Sequence, residues 1–103
     1  MIARWSIDAK FGYKQNVLDL MQRWSRDIAP QAGLSADKMR LMTGSIGALE
    51  STIQSEVSIK DLTELNQVWD KLGAIAAHKQ WSKELEPLVV SGTNRWEIYR
   101  LIE

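Results

Sequence analysis

No cysteine occurs anywhere in the 103 residues. That absence removes disulfide frameworks, thiolate metal sites and cysteine nucleophiles together, and it fits a reducing compartment. Histidine is limited to His78, so any imidazole chemistry rests on one side chain. With no Asp/Glu group at ligand spacing beside it, a metal ion has no ligand set, and no cofactor is expected. Charge of one sign is also missing: 13 basic and 13 acidic residues cancel, and no Lys/Arg block exists to release counterions from nucleic acid. There is no long apolar run. Met1 leads straight into an Arg-containing alternating stretch, so neither a signal peptide nor a membrane span is expected, and the protein is expected in the cytoplasm. Gly44-Ser45-Ile46-Gly47 lacks the Lys of a phosphate loop and the flanks of a serine elbow, and reads as a turn.

What is present is an ordinary globular composition, 45% hydrophobic and 25% charged, of a length that suits one domain over residues 1–103. Residues 1–47 carry seven basic and four acidic groups, and residues 48–103 carry six and nine; this difference in sign is read as ordinary scatter.

Residues 2–8 alternate, with Ala3, Trp5 and Ile7 on one face and Arg4, Ser6 and Asp8 on the other, as in a half-buried strand. From about Tyr13 the period changes. Val17, Leu20/Met21, Trp24 and Ile28 form one stripe of an amphipathic helix that Pro30 and Gly33 stop. Residues 38–43 read as a second strand and 48–58 as the longest one, joined by the Gly44–Gly47 turn into an antiparallel hairpin. Ser58-Ile59-Lys60-Asp61 resembles a helix cap. Leu62, Leu65, Val68/Trp69, Leu72 and Ile75/Ala76 then mark a second helix, followed by a shorter helical piece over Gln80–Glu86 that Pro87 ends. Residues 94–102 alternate again and predict the closing strand, with either Trp96-Ile98-Ile102 or Tyr99-Leu101 able to meet the helices.

The order is strand, helix, strand, strand, helix, strand. It predicts an α+β, ferredoxin-like βαββαβ fold: a four-stranded antiparallel sheet with two helices on one face. The other sheet face has nothing in the chain to cover it. That face is expected to carry Arg4 and Glu50 together with Met42 and an aromatic from the last strand, a mixture that meets a partner or encloses a ligand.

The stretches Val68-Trp69-Asp70-Lys71-Leu72, His78-Lys79-Gln80-Trp81 and Arg95-Trp96-Glu97-Ile98-Tyr99-Arg100, in this element order, resemble the dimeric α+β barrel superfamily, in particular its NIPSNAP-like and antibiotic-biosynthesis-monooxygenase-like members. The resemblance implies a homodimer whose two sheets close a barrel. Its site would lie between sheet and helices or within the barrel. Activities in the superfamily range from cofactorless oxygenases to isomerases and haem-degrading enzymes, so fold alone does not choose among them. Trp69 and His78 also resemble the Trp and His that flank haem in the haem-degrading members. The Asn that those members carry on strand one has no counterpart in residues 2–8, which sets haem degradation behind the other readings.

Within this frame the candidate residues are few. His78 and Tyr99 are the weak catalytic candidates, and the plainer reading of His78 is a partly exposed side chain near a helix end. Five tryptophans, Trp5, Trp24, Trp69, Trp81 and Trp96, each bury a large surface and need a partner for the indole N–H. Trp24 and Trp69 are expected in the sheet–helix core, and Trp81 and Trp96 at a pocket or dimer contact. Arg4, Arg40 and Arg100 lie on three strands and could converge on an anion, although pairing with Glu50, Glu56 or Glu97 is the simpler expectation. Arg4, Arg40, Trp81 and Trp96 are thus the ligand-binding candidates. The leading expectation is a small homodimeric barrel that binds a small apolar or aromatic molecule in a cavity at the sheet. The alternatives are a cofactor-independent monooxygenase or isomerase, or a protein-interaction module using the open face; whether the protein is an enzyme is left open.

Overall fold

The structure, a computed structural model, describes residues 1–102. Alternation in the first segment produces strand β1 (Ile2–Asp8), which pairs on one side with β3 (Thr52–Ser58) and on the other with β4 (Arg95–Tyr99), antiparallel in both cases. Strand β2 (Met39–Thr43) adds to the outer edge of β3, giving the order β2-β3-β1-β4. This is the expected ferredoxin-like split βαβ arrangement. Among the described residues no helix is long and apolar enough to cross a membrane.

Register sorts the side chains onto two faces, because opposed residues point the same way. One row across all four strands is Leu41, Ser55, Trp5 and Trp96; the adjacent row on the opposite face is Arg40, Glu56, Arg4 and Glu97. The first face packs on the helices. There Ala3, Ile7, Ile53 and Val57 join Val17 and Met21 of α1 (Lys14–Arg23), Leu65, Val68 and Leu72 of α2 (Leu62–Gly73), and Trp81 and Leu85 of α3 (Ala76–Leu85) in one core. Each fully buried aliphatic side chain, such as Ile53 or Val17, stabilises the fold by about 1.5–3 kcal/mol relative to exposure.

Several boundaries differ from the sequence reading. The long strand begins at Thr52 rather than 48, and Glu50 lies in the turn, 4.0 Å from Lys14, instead of on the open sheet face. The last strand stops at Tyr99, which leaves Arg100 outside the sheet. The helix cap sits three residues later than expected: Asp61 accepts from the Glu64 N–H at 2.9 Å, and Glu64 reaches back to the Lys60 N–H at 2.6 Å. The second helical stripe ends at Gly73, the poorest helix former in it, and a separate third helix starts at Ala76 rather than Gln80. Trp69 and His78 are therefore on different helices.

Helix α1 does not run evenly to Pro30. It widens into a π-turn over Trp24–Ile28, then tightens into a 3-10 turn over Ala29–Ala32. Gly33 closes it in the left-handed conformation, φ +86°. There the Gly33 N–H bonds Pro30 and the Leu34 N–H bonds Ala29, a Schellman-type ending that needs glycine. π-turns gather at functional sites, and this one begins at a tryptophan.

Candidate functional site

Between the sheet and the helices lies a cavity of about 930 Å³ that all five tryptophans line. Its origin is visible in the register. Ser55 stands next to Trp5 in a row of otherwise large side chains, and its missing volume leaves space that the helices do not fill. Trp5 and Trp96 lie side by side on β1 and β4. Trp69 of α2 meets the edge of Trp96 at 5.5 Å between ring centres, with 69° between planes. Trp69 and Trp96 stay 40% and 45% exposed, so they form the cavity's outer wall; the expectation of Trp69 in the core is corrected to this position. Lys10, Glu86, Ser91 and Asn94 add exposed polar groups to the lining.

The inner wall is an aromatic cluster around His78. Trp24 lies 6.1 Å from Trp81, and His78 stacks on Trp81 at 5.8 Å with only 17° between planes. Trp81 donates its indole N–H to the Leu20 carbonyl at 2.7 Å. Trp24 donates its own to Nδ1 of His78 at 3.0 Å. An indole nitrogen only donates, so Nδ1 must carry a lone pair, and the proton of the neutral imidazole sits on Nε2. Burial pushes the His78 pKa down, in the same sense as this hydrogen bond. Haem does not fit this arrangement. Iron takes a histidine through a nitrogen lone pair; here one nitrogen is engaged by Trp24 and the other is protonated. The residue that the resemblance pairs with His78 on strand one is also missing, since β1 reads Ile-Ala-Arg-Trp-Ser-Ile-Asp. Among the described residues no group of three His, Asp or Glu side chains could hold a metal ion.

The remaining candidates lie on the opposite face of the sheet. Arg4 reaches Oε1 of Glu56 through Nε at 3.0 Å and through Nη2, and Arg40 reaches Oε2 at 2.8 Å. The Arg4 guanidinium also lies 4.9 Å over the Tyr99 ring, and the Tyr99 hydroxyl donates to Glu97 at 3.1 Å. Arg4 and Arg40 therefore converge on Glu56, and Tyr99 and Arg4 are on the far side of the sheet from Trp81, Trp96 and His78. Met42 shares this open face, in register with Gln54.

Glu56 is only 6% exposed, and its cover is the two arginine side chains rather than depth in the fold. Their hydrogen bonds and charge, Arg4 first, hold its carboxyl below the ordinary glutamate range. A depressed folded value means that the stabilisation is present above the unfolded value, about pH 4.3, and is lost as pH falls through the lower folded value. Glu56→Gln is expected to cost about 1 kcal/mol at pH 7, since both arginines keep contact with water. In urea titrations the gap to the parent protein should close below about pH 4. A gap that persists unchanged in acid would show that charge is not what the arginines recognise.

The sequence singled out Trp81, Trp96 and His78 but not the joint part of Trp5, Trp24, Trp69 and Ser55. Alternation puts Ala3, Trp5 and Ile7 on one face of the first strand, so part of the lining had a signal, whereas the space left by Ser55 shows only in its register with Trp5. The pairing of Trp24 with His78 had none, because 54 residues separate them and the π-turn shifts the helical phase.

No protein-family model and no curated protein matches the sequence. Solved structures do. A NIPSNAP family protein from Agrobacterium tumefaciens superposes with a TM-score of 0.75 at 20% identity, over 96% of this chain and 84% of that one. A NIPSNAP-like domain protein from Burkholderia xenovorans gives 0.76 at 14% identity, over 99% and 86%. SnoaB from Streptomyces nogalater, a cofactor-independent oxygenase, gives 0.67 at 11% identity, over 99% and 93%. Together with the strand order and the two-faced sheet, these likenesses establish that the chain has the ferredoxin-like α+β fold shared by NIPSNAP and antibiotic-biosynthesis-monooxygenase-like proteins.

Proposed function

We propose that this protein is a homodimeric, cytoplasmic α+β barrel that binds a small apolar or aromatic molecule in its tryptophan-lined cavity. The observation that carries the reading is the convergence of all five tryptophans on one space of about 930 Å³, within the size of small-molecule pockets. A core needs no such space. Indole faces offer a ligand large apolar contact and ring stacking. Dimerisation is supported by the open sheet face, where Arg40, Glu56, Arg4 and Glu97 alternate in sign across the four strands and a second copy could match them in antiparallel.

Titration with 2-naphthol, followed by intrinsic fluorescence, is expected to give a saturable change in the micromolar range, weakened at least tenfold in Trp96→Ala. A linear, non-saturating response up to millimolar naphthol would remove the cavity reading. A sizing column coupled to light scattering should report a dimer at micromolar concentration, and a monomer there would remove the barrel.

Catalysis in the same cavity is the second reading, supported by the likeness to a cofactor-independent oxygenase. In such chemistry the substrate supplies the electrons, and the protein supplies orientation and a polar handle. Oxygen uptake that depends on both the protein and an added electron-rich phenol is the result this reading requires.

A further inference from the structure

The aromatic wall contains one group that packing alone does not explain. Indole N–H groups in a protein usually donate to a backbone carbonyl or to water, as Trp81 does to Leu20 at 2.7 Å. Trp24 instead donates to the ring nitrogen of the chain's single histidine. It comes from the π-turn of the first helical segment, 54 residues away in sequence. The consequence is chemical. A neutral imidazole exchanges its proton between two nitrogens unless a hydrogen bond selects one, and here the selecting group can only donate. His78 is thereby fixed with a lone pair towards Trp24 and a proton on Nε2. Its plane is fixed as well, by the stack on Trp81 at 5.8 Å and the edge contact with Trp24 at 6.2 Å. Both the rotation and the tautomer of the ring are set, and Nε2–H has no acceptor among the described residues.

We infer that Trp24 is a positioning residue that holds His78 as a hydrogen-bond donor, and that the cavity's ligand is an aromatic or alicyclic molecule bearing a carbonyl or similar neutral oxygen acceptor that takes the Nε2 proton's hydrogen bond. This rests on the proposed ligand-binding reading and deepens it from apolar molecules in general to ring ketones and their kind. It also assigns His78 a role opposite to that of a general base: Nε2 has no lone pair to accept a proton, and Nδ1 is occupied. Against the aromatic inner wall a fixed donor favours a ligand with an acceptor at that point, because a ligand lacking the oxygen forgoes this hydrogen bond.

Two experiments test this. Because there is one histidine, ¹⁵N-labelled imidazole gives one pair of ring signals. At pH 8 they should show Nδ1 unprotonated and Nε2 protonated in the parent protein, with a mixture of tautomers in Trp24→Phe. A protonated Nδ1 in the parent protein overturns the assignment outright. For ligand class, 1-tetralone and tetralin share a ring skeleton and differ in one carbonyl. In calorimetric titrations His78→Phe, which keeps a ring against Trp81, should weaken 1-tetralone about fivefold, the equivalent of one hydrogen bond, and leave tetralin within a factor of two. Trp24→Phe should give a smaller loss in the same direction. Equal losses for both compounds in His78→Phe overturn the donor role while the cavity reading survives. Binding of neither compound to the parent protein overturns the cavity reading, and the inference with it.

Discussion

Trp81→Ala is expected to lose about 3–5 kcal/mol of stability, the range for deleting a buried tryptophan. Trp81 is 6% exposed and belongs at once to the core and to the cavity wall. Its removal leaves no group positioned to fill the gap, since Trp24 is tied to His78 and the His78 ring rests on the indole that is lost. For a domain of this size the loss corresponds to a fall in Tm of roughly 15–30 °C, and it is a large share of the roughly 5–15 kcal/mol that holds a typical domain folded. Trp81→Phe separates volume from hydrogen bonding. The Leu20 carbonyl also accepts the backbone N–H of Trp24, so losing the indole donor does not strand it, and the milder change should cost about 1–2 kcal/mol. Urea and thermal unfolding of the two variants measure both values. A cost under 1 kcal/mol for the alanine variant would mean that the aromatic wall does not depend on Trp81.

Much of this architecture was legible because the two periodicities are clean. Alternation through Ala3, Trp5 and Ile7 assigned the first strand and its buried face, and the stripe from Leu62 to Leu72 assigned the second long helix with its inner face. Uncertainty over the last strand came from its composition: Trp96 and Ile98 on one face and Tyr99 on the other are all apolar enough to be buried. Pairing with β1 settles it, since Trp96 stands opposite Trp5 and Ile98 opposite Ala3, both on the helix side. The stripe across residues 62–76 reads as one helix weakened locally at Gly73, whereas the helix ends at Gly73 and an extended Ile75 separates Trp69 from His78. The candidate site was half visible for a related reason. A sequence shows which residues are large, aromatic or titratable, whereas a cavity depends on where volume is missing. Here that place is Ser55, whose significance comes from a cross-strand neighbour 50 positions away.

Gly44→Ala is expected to cost at least about 3 kcal/mol, at or beyond the upper end of ordinary overpacking. A Cβ at this position would stand 1.8 Å from the Leu49 carbonyl oxygen, and that carbonyl cannot retreat freely because it accepts the Thr52 N–H at 3.1 Å. Gly44 in turn donates its own N–H to the Thr52 carbonyl at 3.0 Å. Relief therefore requires opening the turn where β3 begins. Strand β2 pairs only with β3, so an opened turn loosens the edge that presents Arg40 to Glu56 on one face and Met39 to the cavity on the other. Gly47, in the same connection, is the control. It has a positive φ of 79° but nothing within 4 Å of an added Cβ, so Gly47→Ala should cost only the left-handed penalty of about 1–2 kcal/mol. Chemical unfolding ranks the two variants directly, and hydrogen exchange at β2 amides should be accelerated in Gly44→Ala alone. Equal costs for the two would show that the turn can move as a unit, and that the close approach at Gly44 does not anchor the edge of the sheet.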